Sequence, residues 1–168
     1  MSDPRPVVAD AGPLIVLAAI GQIGLLGELY GRVLVPEAVF TEVTIAGFDR
    51  PGSAELGAAS WVVRTPVAPQ PDLLLRRGLG LGESEAITLA FRNDARLLLL
   101  DDRRARQIAE LAYGLRVKGA AGILVESKKR GLIASIATPL EQMRIAGYFL
   151  GQPVIDRALL EAGEGGSS

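Results

Sequence analysis

Two adjacent carboxylates follow an uninterrupted run of four leucines in the segment RLLLLDDRRAR, residues 96–106. Adjacent like charges repel, and each raises the pKa of the other. Asp101 and Asp102 therefore need compensation from solvent, a helix N-terminus, the arginines that follow, or a metal ion. Either aspartate can cap the helix predicted to begin here, but one helix needs only one such cap. The second carboxylate is then a candidate functional group.

Other carboxylates stand at comparable places in the sequence. Asp10 ends the apolar segment PVVAD, where it is equally well explained as a helix cap. Glu42 borders the apolar stripe of a predicted helix, where a charge is costly unless it is paired, bound to metal or extended into solvent. Glu83 and Glu85 fall in the first turn of another predicted helix, where the helix dipole alone would favour them. Each acid thus has a structural explanation, but together they indicate four acidic positions around one cleft.

The chain contains no cysteine and no histidine. This excludes disulfides, thiolate zinc sites, cysteine nucleophiles, Ser-His-Asp triads and histidine general bases. Ligands that are all oxygen suit Mg²⁺ or Mn²⁺ rather than zinc. Clustered carboxylates without histidine therefore indicate metal-assisted phosphoryl or phosphodiester chemistry.

Length and composition indicate one globular domain. The chain has 168 residues, of which 49% are hydrophobic and 22% charged. The formal net charge of -1 gives no overall basic field, so any contact with nucleic acid must come from a local cluster. The apolar segment at 13–26 is interrupted by glycines and is too short to span a bilayer. A soluble, cytoplasmic protein without membrane contact is expected.

Short apolar strands alternate with helices along the chain. Such strands are typical of a sheet that is covered on both faces, and the alternation predicts an α/β fold, a three-layer α/β/α sandwich with a mostly parallel five-stranded sheet. The carboxyl ends of parallel strands share one edge, so the acids that follow the first and fourth strands should meet there. The predicted strands lie at about 6–10, 32–36, 61–67, 96–100 and 115–119.

Helices are expected between the strands and after the last one. Residues 47–60 read as a loop with a short helix, and residues 78–82 as a glycine-rich linker. Thr138 and Glu141 have the spacing of a capping box for a helix that runs to about Phe149. A single domain is predicted over 1–163, including C-terminal helices at about 138–162, followed by a disordered tail at 164–168. The other predicted helices are at about 14–20, 23–31, 37–45, 83–93, 102–114, 120–131 and 153–163.

Five segments together resemble the PIN-domain nucleases, in particular the branch that contains VapC-like toxins of prokaryotic toxin–antitoxin pairs. They follow the family's order and spacing and cover most of residues 7–133. The resemblance implies a parallel five-stranded sheet with flanking helices and a Mg²⁺- or Mn²⁺-dependent ribonuclease. It further implies an RNA substrate, a small antitoxin protein as partner, a homodimer, and products with a 5′-phosphate and a 3′-hydroxyl. The segments are VVADAGPLIVLAAIGQIGLL, VLVPEAVFTEV, LGLGESEAITLA, LLLLDDRRARQIAE and VKGAAGILVESKKRGLI.

The same resemblance assigns roles to individual residues. Asp101 would be an accessory metal ligand and Glu85 an additional candidate ligand. The four catalytic and metal-binding acids would be Asp10, Glu42, Glu83 and Asp102.

The sequence departs from the family pattern at three positions. Ala11 and Gly12 stand where small hydroxyl residues are usual, and Lys118 stands where a threonine is common. Hydrogen bonds that orient metal ligands are then missing, which is expected to weaken metal affinity and turnover. Lys118 could instead contact phosphate, as could Arg103 and Arg106.

Further basic residues, Arg104 and the cluster KKR at 128–130, are equally well explained as a solvated surface. The arginines after Asp102 could also simply pair with the neighbouring acids.

Two alternative functions stay open. A catalytically silent PIN-like module would bind RNA or a protein through the same fold. A response-regulator receiver domain also carries acids at strand ends, but it needs an acidic pair after its first strand and one Asp after its third. Here the pair follows the fourth strand and residues 61–66 contain no Asp, which disfavours a receiver.

Overall fold

The computed structural model describes residues 3–45, 49–50 and 52–166. The described chain forms one sheet of five strands, all parallel, in the order β3-β2-β1-β4-β5. The predicted five-stranded parallel sheet is therefore confirmed. The strands are β1 (Val7–Ala9), β2 (Val33–Pro36), β3 (Val62–Thr65), β4 (Leu97–Leu99) and β5 (Val117–Lys118).

Ten helices flank the sheet in the part of the chain that the structure describes. In chain order they are α1 (Ala11–Ala19), α2 (Leu25–Tyr30), α3 (Glu37–Thr44), α4 (Ser53–Ala58), α5 (Leu73–Gly78), α6 (Leu81–Arg92), α7 (Arg103–Tyr113), α8 (Ala120–Lys129), α9 (Ala137–Ile145) and α10 (Gln152–Glu161).

Two apolar cores cover the two faces of the sheet, because successive side chains of a strand point to opposite sides. In β1, Val7 and Ala9 join a core with α1, α3 and α8, whereas Val8 joins a core with α6 and α7. The helices α9 and α10 pack on the first core, and α5 packs on the second. The predicted three-layer α/β/α sandwich is confirmed. Within the described residues, none of these helices combines the length and apolar character that crossing a bilayer requires.

The strand order reverses between β1 and β4. The chain proceeds from β1 outward through β2 to β3, then returns to the other side of β1 for β4 and β5. Ala9 pairs with Leu99, and the backbone N–H of Asp10 donates to the carbonyl of Leu99 at 2.9 Å. Helices that leave adjacent strands on opposite faces open a crevice at the carboxyl ends, and ligands of such sheets bind there. Asp10 and Asp102 flank this crevice.

The glycine-rich segment before α6 contains more helix than its composition suggests. The helix α5 was not predicted; Asp72 caps it by accepting a hydrogen bond from the N–H of Leu74 at 2.7 Å. The next helix, α6, begins at Leu81 behind Gly80, two residues before the predicted start. Of the loop expected at 47–60, the predicted short helix is confirmed as α4, and residues 47, 48 and 51 lie outside the described part.

The predicted capping box at Thr138 is wrong. The helix α9 begins at Ala137, so Thr138 lies inside it, and the helix ends at Ile145 rather than near Phe149. Its cap comes from far along the chain: the carboxylate of Glu164 accepts hydrogen bonds from the N–H groups of Ile136 and Ala137 at 2.8 and 3.3 Å. This tertiary contact replaces the predicted cap at Thr138, and the nearby Ser135 hydroxyl also accepts from the N–H of Ala137 at 3.2 Å.

Glu164 is accordingly tied to the domain, although the sequence places it at the start of the predicted tail. Its carboxylate also accepts from the hydroxyl of Ser135 at 2.6 Å and from Nζ of Lys128 at 3.0 Å. The hydrogen bond from Ser135 and those from the helix N–H groups lower the pKa of Glu164 to about 2.

Candidate active site

A cleft of about 760 Å³ opens at the carboxyl edge of the sheet, where the strand order reverses. Five separate segments line it: the end of β1 with the start of α1, the helix α3, the loop between β3 and α5, the start of α6 and the turn after β4. The structure thus brings together five of the six acids singled out in the sequence. Those five are Asp10, Glu42, Glu83, Glu85 and Asp102.

Asp10 forms the buried end of the cleft. Its relative exposure is 5%, and its Oδ1 has no hydrogen-bond partner among the described residues. Asp10 stands at the N-cap position of α1, but its side chain makes no capping hydrogen bond. Burial, helped by the charges of Glu83 and Glu42, raises the pKa of Asp10 to about 7, although the nearby backbone of Ala11 and Gly12 acts to lower it. The capping explanation therefore does not account for this carboxylate.

Glu42 reaches the cleft from the edge of α3. Val39 and Val43 on the same helix are fully buried, while Glu42 is exposed, as the apolar stripe predicts. Gly82 of α6 lies opposite. A Cβ atom on Gly82 would stand 3.0 Å from Oε2 of Glu42 and 3.8 Å from Oδ1 of Asp10. The missing side chain at Gly82 lets two carboxylate oxygens approach the same point from different elements.

Glu83 and Asp102 complete the acidic lining. Partial burial raises the pKa of the Glu83 carboxyl, and the charges of Asp102 and Glu42 add to this rise. Asp102 is exposed and caps α7, because its Oδ2 accepts a hydrogen bond from the N–H of Ala105 at 2.8 Å. Capping uses only one of its two oxygens, so Asp102 can serve the helix and the cleft together.

The adjacent pair of aspartates is divided between two helices. Asp101 does not line the cleft. Its Oδ1 accepts a hydrogen bond from the N–H of Ala120 at 2.8 Å, at the start of α8. Burial raises the pKa of Asp101, and its Oδ2 is buried without a partner among the described residues. The sequence predicts one capping aspartate for one helix. In the structure Asp102 caps α7 and Asp101 caps α8.

Glu85 is a buried acid of the cleft that links two of its helices. Only 4% of the residue is exposed, and its Oε1 accepts a hydrogen bond from the N–H of Ala38 at 3.2 Å. This contact joins α6 to the first turn of α3, the helix that carries Glu42. Glu85 therefore holds two acid-bearing helices together, in addition to lining the cleft.

Glu37 was missed in the sequence and also lines the cleft. It follows Pro36, the last residue of β2, so the strand-end rule that identified Asp10 would have identified it as well. Its carboxylate is already paired, because Oε2 lies 2.7 Å from Nε of Arg64. This pairing distinguishes Glu37 from the other acids of the cleft.

The predicted substrate-binding cations lie outside the cleft lining. Nζ of Lys118 is 2.6 Å from Oε2 of Glu126, which also accepts from the hydroxyl of Tyr30 at 2.8 Å. Arg103 and Arg106 follow Asp102 on α7 and form no ion pair with any described residue.

In the cluster at 128–130, the Lys128 amino group pairs with Glu164 at 3.0 Å and the Arg130 guanidinium with Glu126 at 3.0 Å. Two of the three cations in that cluster therefore have carboxylate partners within the domain.

The chemistry of the cleft suits a divalent cation. Asp10, Glu42, Glu83 and Asp102 form no ion pair with a described Lys or Arg, so their negative charge is uncompensated. Oxygen-only ligands match Mg²⁺ or Mn²⁺. As they stand, no three acidic side chains in the described part of the chain are close enough to hold one ion. Uncompensated carboxylates repel each other. For these acids to hold one ion together, the exposed Glu42 and half-exposed Glu83 side chains would have to rotate towards it.

The close approach at Gly82 gives a first prediction. In Gly82→Ala, the new Cβ would push against Oε2 of Glu42, so we expect metal-dependent activity to fall about tenfold, the scale of disturbing a ligand's support. Thermal stability should change by less than about 1 kcal/mol, because the helix preference for Ala over Gly opposes the close contact of the new Cβ with Cγ2 of buried Val39 at 3.4 Å.

Gly80→Ala is the matched control, since a Cβ there meets nothing within 4 Å. Equal activity of the two variants would contradict the crowding argument.

A family model described as a PIN domain matches residues 6–164. No curated protein matches the chain at a significant level. The match spans the whole sheet, the acidic cleft and the C-terminal helices, in agreement with the parallel sandwich described above. The chain therefore belongs to the PIN-domain family.

Proposed function

We propose that this PIN domain is a Mg²⁺- or Mn²⁺-dependent endoribonuclease. The PIN domain is a nuclease fold, which makes a nucleic acid the expected substrate. One observation carries the proposal: the buried, unpartnered Oδ1 of Asp10 shares a cleft with the carboxylates of Glu42, Glu83 and Asp102 from three other segments, and none of these acids forms an ion pair with a described cation. Asp102 also caps α7, but neither a side-chain cap nor an ion pair with a described residue accounts for the buried carboxylate of Asp10.

Asp10, Glu42, Glu83 and Asp102 would hold the ion. When bound, Mg²⁺ or Mn²⁺ would supply Lewis-acid polarisation of a phosphodiester and lower the pKa of water. The carboxylates of the chain also control when substrate can enter the cleft. Without a cation their charge repels the phosphates of RNA, so substrate enters only a neutralised cleft.

Asp10 must also lose its proton before it can serve as a ligand. Because its pKa in the free protein is about 7, metal binding near neutral pH should release protons.

Glu42→Gln tests the nuclease proposal directly. We expect it to reduce Mn²⁺-dependent cleavage of a labelled RNA by more than about 100-fold, because losing a group that only orients a metal ligand already costs roughly 10–100-fold. Glu161→Gln is the matched control, since Glu161 is exposed on α10 and pairs only with Arg157 at 3.1 Å. Equal cleavage by the two variants, or cleavage unaffected by a chelator, would remove the basis for the proposal.

The alternative is a catalytically silent module that binds RNA or a protein. It is favoured by one observation: Ala11 and Gly12 line the cleft directly after Asp10 and offer no hydroxyl to orient a ligand. Thr41 supplies a hydroxyl group to the lining of the same cleft. RNA binding without metal-dependent cleavage in the assay above would select this alternative.

We further propose that the protein is the toxin of a toxin–antitoxin pair and acts as a homodimer. The support for a toxin is the sequence resemblance to VapC-like proteins. The support for a dimer is the apolar surface of the C-terminal region, where Ile145 and Leu160 are each 72% exposed and Phe149 is 95% exposed. Co-purification with the product of a neighbouring small reading frame tests the first, and light scattering tests the second.

A further inference from the structure

A second cavity, of about 360 Å³, lies at the opposite edge of the sheet from the acidic cleft. It is placed at the amino ends of β4 and β5, beside the segment that enters β1. Three arginines and two aromatic residues dominate its lining: Arg5, Arg96, Arg116, Phe91 and Tyr113.

The positive charge of this cavity exceeds what its carboxylates neutralise. Arg5 pairs with Asp3 at 2.7 Å and lies 3.7 Å from Asp94. Arg96 and Arg116 form no ion pair within the described part of the chain. Guanidinium groups gathered in one cavity repel one another, and an anion placed between them removes that cost.

Arg96 is held in place by its surroundings. Its Nε donates a hydrogen bond to the carbonyl of Arg5 at 3.2 Å, and its guanidinium lies over the Tyr30 ring, 5.7 Å from the centroid. A guanidinium fixed in this way loses less conformational freedom when it binds a phosphate than a free surface side chain does.

Phe91 gives the cavity an exposed aromatic ring. Phe91 and Tyr113 pack edge to face, with centroids 5.4 Å apart and planes at 77°. Phe91 is nevertheless 56% exposed. Exposed aromatic rings beside cations are the usual platform for nucleobases, which stack on the ring while the phosphate meets the basic groups.

We propose that this cavity binds a nucleotide, with its phosphates on Arg96 and Arg116 and its base against Phe91. The volume lies at the lower end of the range for small-ligand sites, about 300–1,000 Å³. The ligand is either a free nucleotide or the phosphorylated end of an RNA strand, since both present the same groups. The site is independent of the proposed nuclease centre, which occupies the other edge of the sheet.

The test is calorimetric titration of the full chain with ADP in the presence of a chelator. The chelator matters because a metal–nucleotide complex could otherwise enter the acidic cleft. We expect Arg116→Ala to weaken ADP binding about tenfold, as loss of a charge-assisted hydrogen bond does. Arg157→Ala, an exposed arginine on α10, should change nothing. Phe91→Ala should weaken ADP but not pyrophosphate, with Phe149→Ala as its control.

Asp10→Asn separates this proposal from the nuclease proposal, because it should leave ADP binding unchanged. Competition by a 5′-phosphorylated oligonucleotide would identify a strand end as the ligand source, and its failure would identify a free nucleotide. No heat at millimolar ADP, or equal affinities for wild type, Arg116→Ala and Phe91→Ala, would overturn the site.

Discussion

Asp10→Asn is expected to abolish metal-dependent RNA cleavage, with a loss greater than about 100-fold, while leaving the fold intact. Asp10 is buried in the cleft and its Oδ1 has no partner among the described residues, so no neighbouring acid can take its place. Asn has nearly the same shape, but it removes the negative charge that a divalent cation requires. Cleavage of a labelled RNA with and without Mn²⁺ measures the effect.

The melting temperature provides an independent test of Asp10→Asn. An ion that binds only the folded state raises the melting temperature, and this rise should be lost in Asp10→Asn. In metal-free buffer above neutral pH the variant should melt at or above the wild-type temperature, because it lacks a buried unpaired charge.

Asp156→Asn is the matched control, because Asp156 is exposed on α10 and contacts only Gln152. A metal-induced rise in melting temperature that survives in Asp10→Asn would contradict the assignment of Asp10 as a ligand.

The layered fold could be predicted from the sequence because each of its signals is local. Short apolar strands separated by helices fix a parallel sheet covered on both faces, and the strand ends then place Asp10 and Asp102 at one edge. Glu42 could be located because its neighbours on α3, Val39 and Val43, define a buried stripe. These inferences need only the periods of helices and strands.

The parts that could not be predicted depend on distant contacts. Nothing near α9 in the sequence indicates that Glu164 caps it, so the local Thr138 pattern gave the wrong start. The sequence predicts Asp101 as a candidate ligand. It does not reveal that Asp101 caps α8, because that helix begins 19 residues later, at Ala120. The sequence likewise does not reveal the ion pair between Lys118 and Glu126 on α8, whose Nζ and Oε2 atoms are 2.6 Å apart.

Stability of the metal-free protein should fall as pH rises from about 4.5 to 7. The folded-state pKa of Asp10 is about 7, whereas an unfolded Asp has a pKa of about 3.9. Below pH 3.9 both states carry the proton; between the two values only the folded state binds it, so the unfolding free energy decreases with pH. The full difference is up to about 4 kcal/mol, or roughly 10 °C in melting temperature for a chain of this size.

Other carboxyls titrate in the same window. The pKa values of Glu83 and Asp101 are also raised, so both add to the fall in stability, in wild type and in Asp10→Asn alike. The pKa of Glu164 is lowered to about 2, so its contribution is lost only as pH falls below the unfolded value of about 4.3. The comparison of wild type with Asp10→Asn then isolates Asp10, because Asn does not titrate. We expect the melting temperature, followed by circular dichroism in chelator, to fall more steeply with pH in the wild type than in the variant.

Divalent metal should reverse this dependence, since it binds the deprotonated carboxylate and its stabilising effect grows with pH. At pH 8 the wild type should gain more from Mn²⁺ than at pH 5, and Asp10→Asn should gain little at either. Parallel pH slopes for wild type and variant would mean that Asp10 is solvated or paired in solution. Burial of an unpaired Asp10 carboxylate would then explain neither the lower stability of the metal-free protein nor the binding of a cation in the cleft.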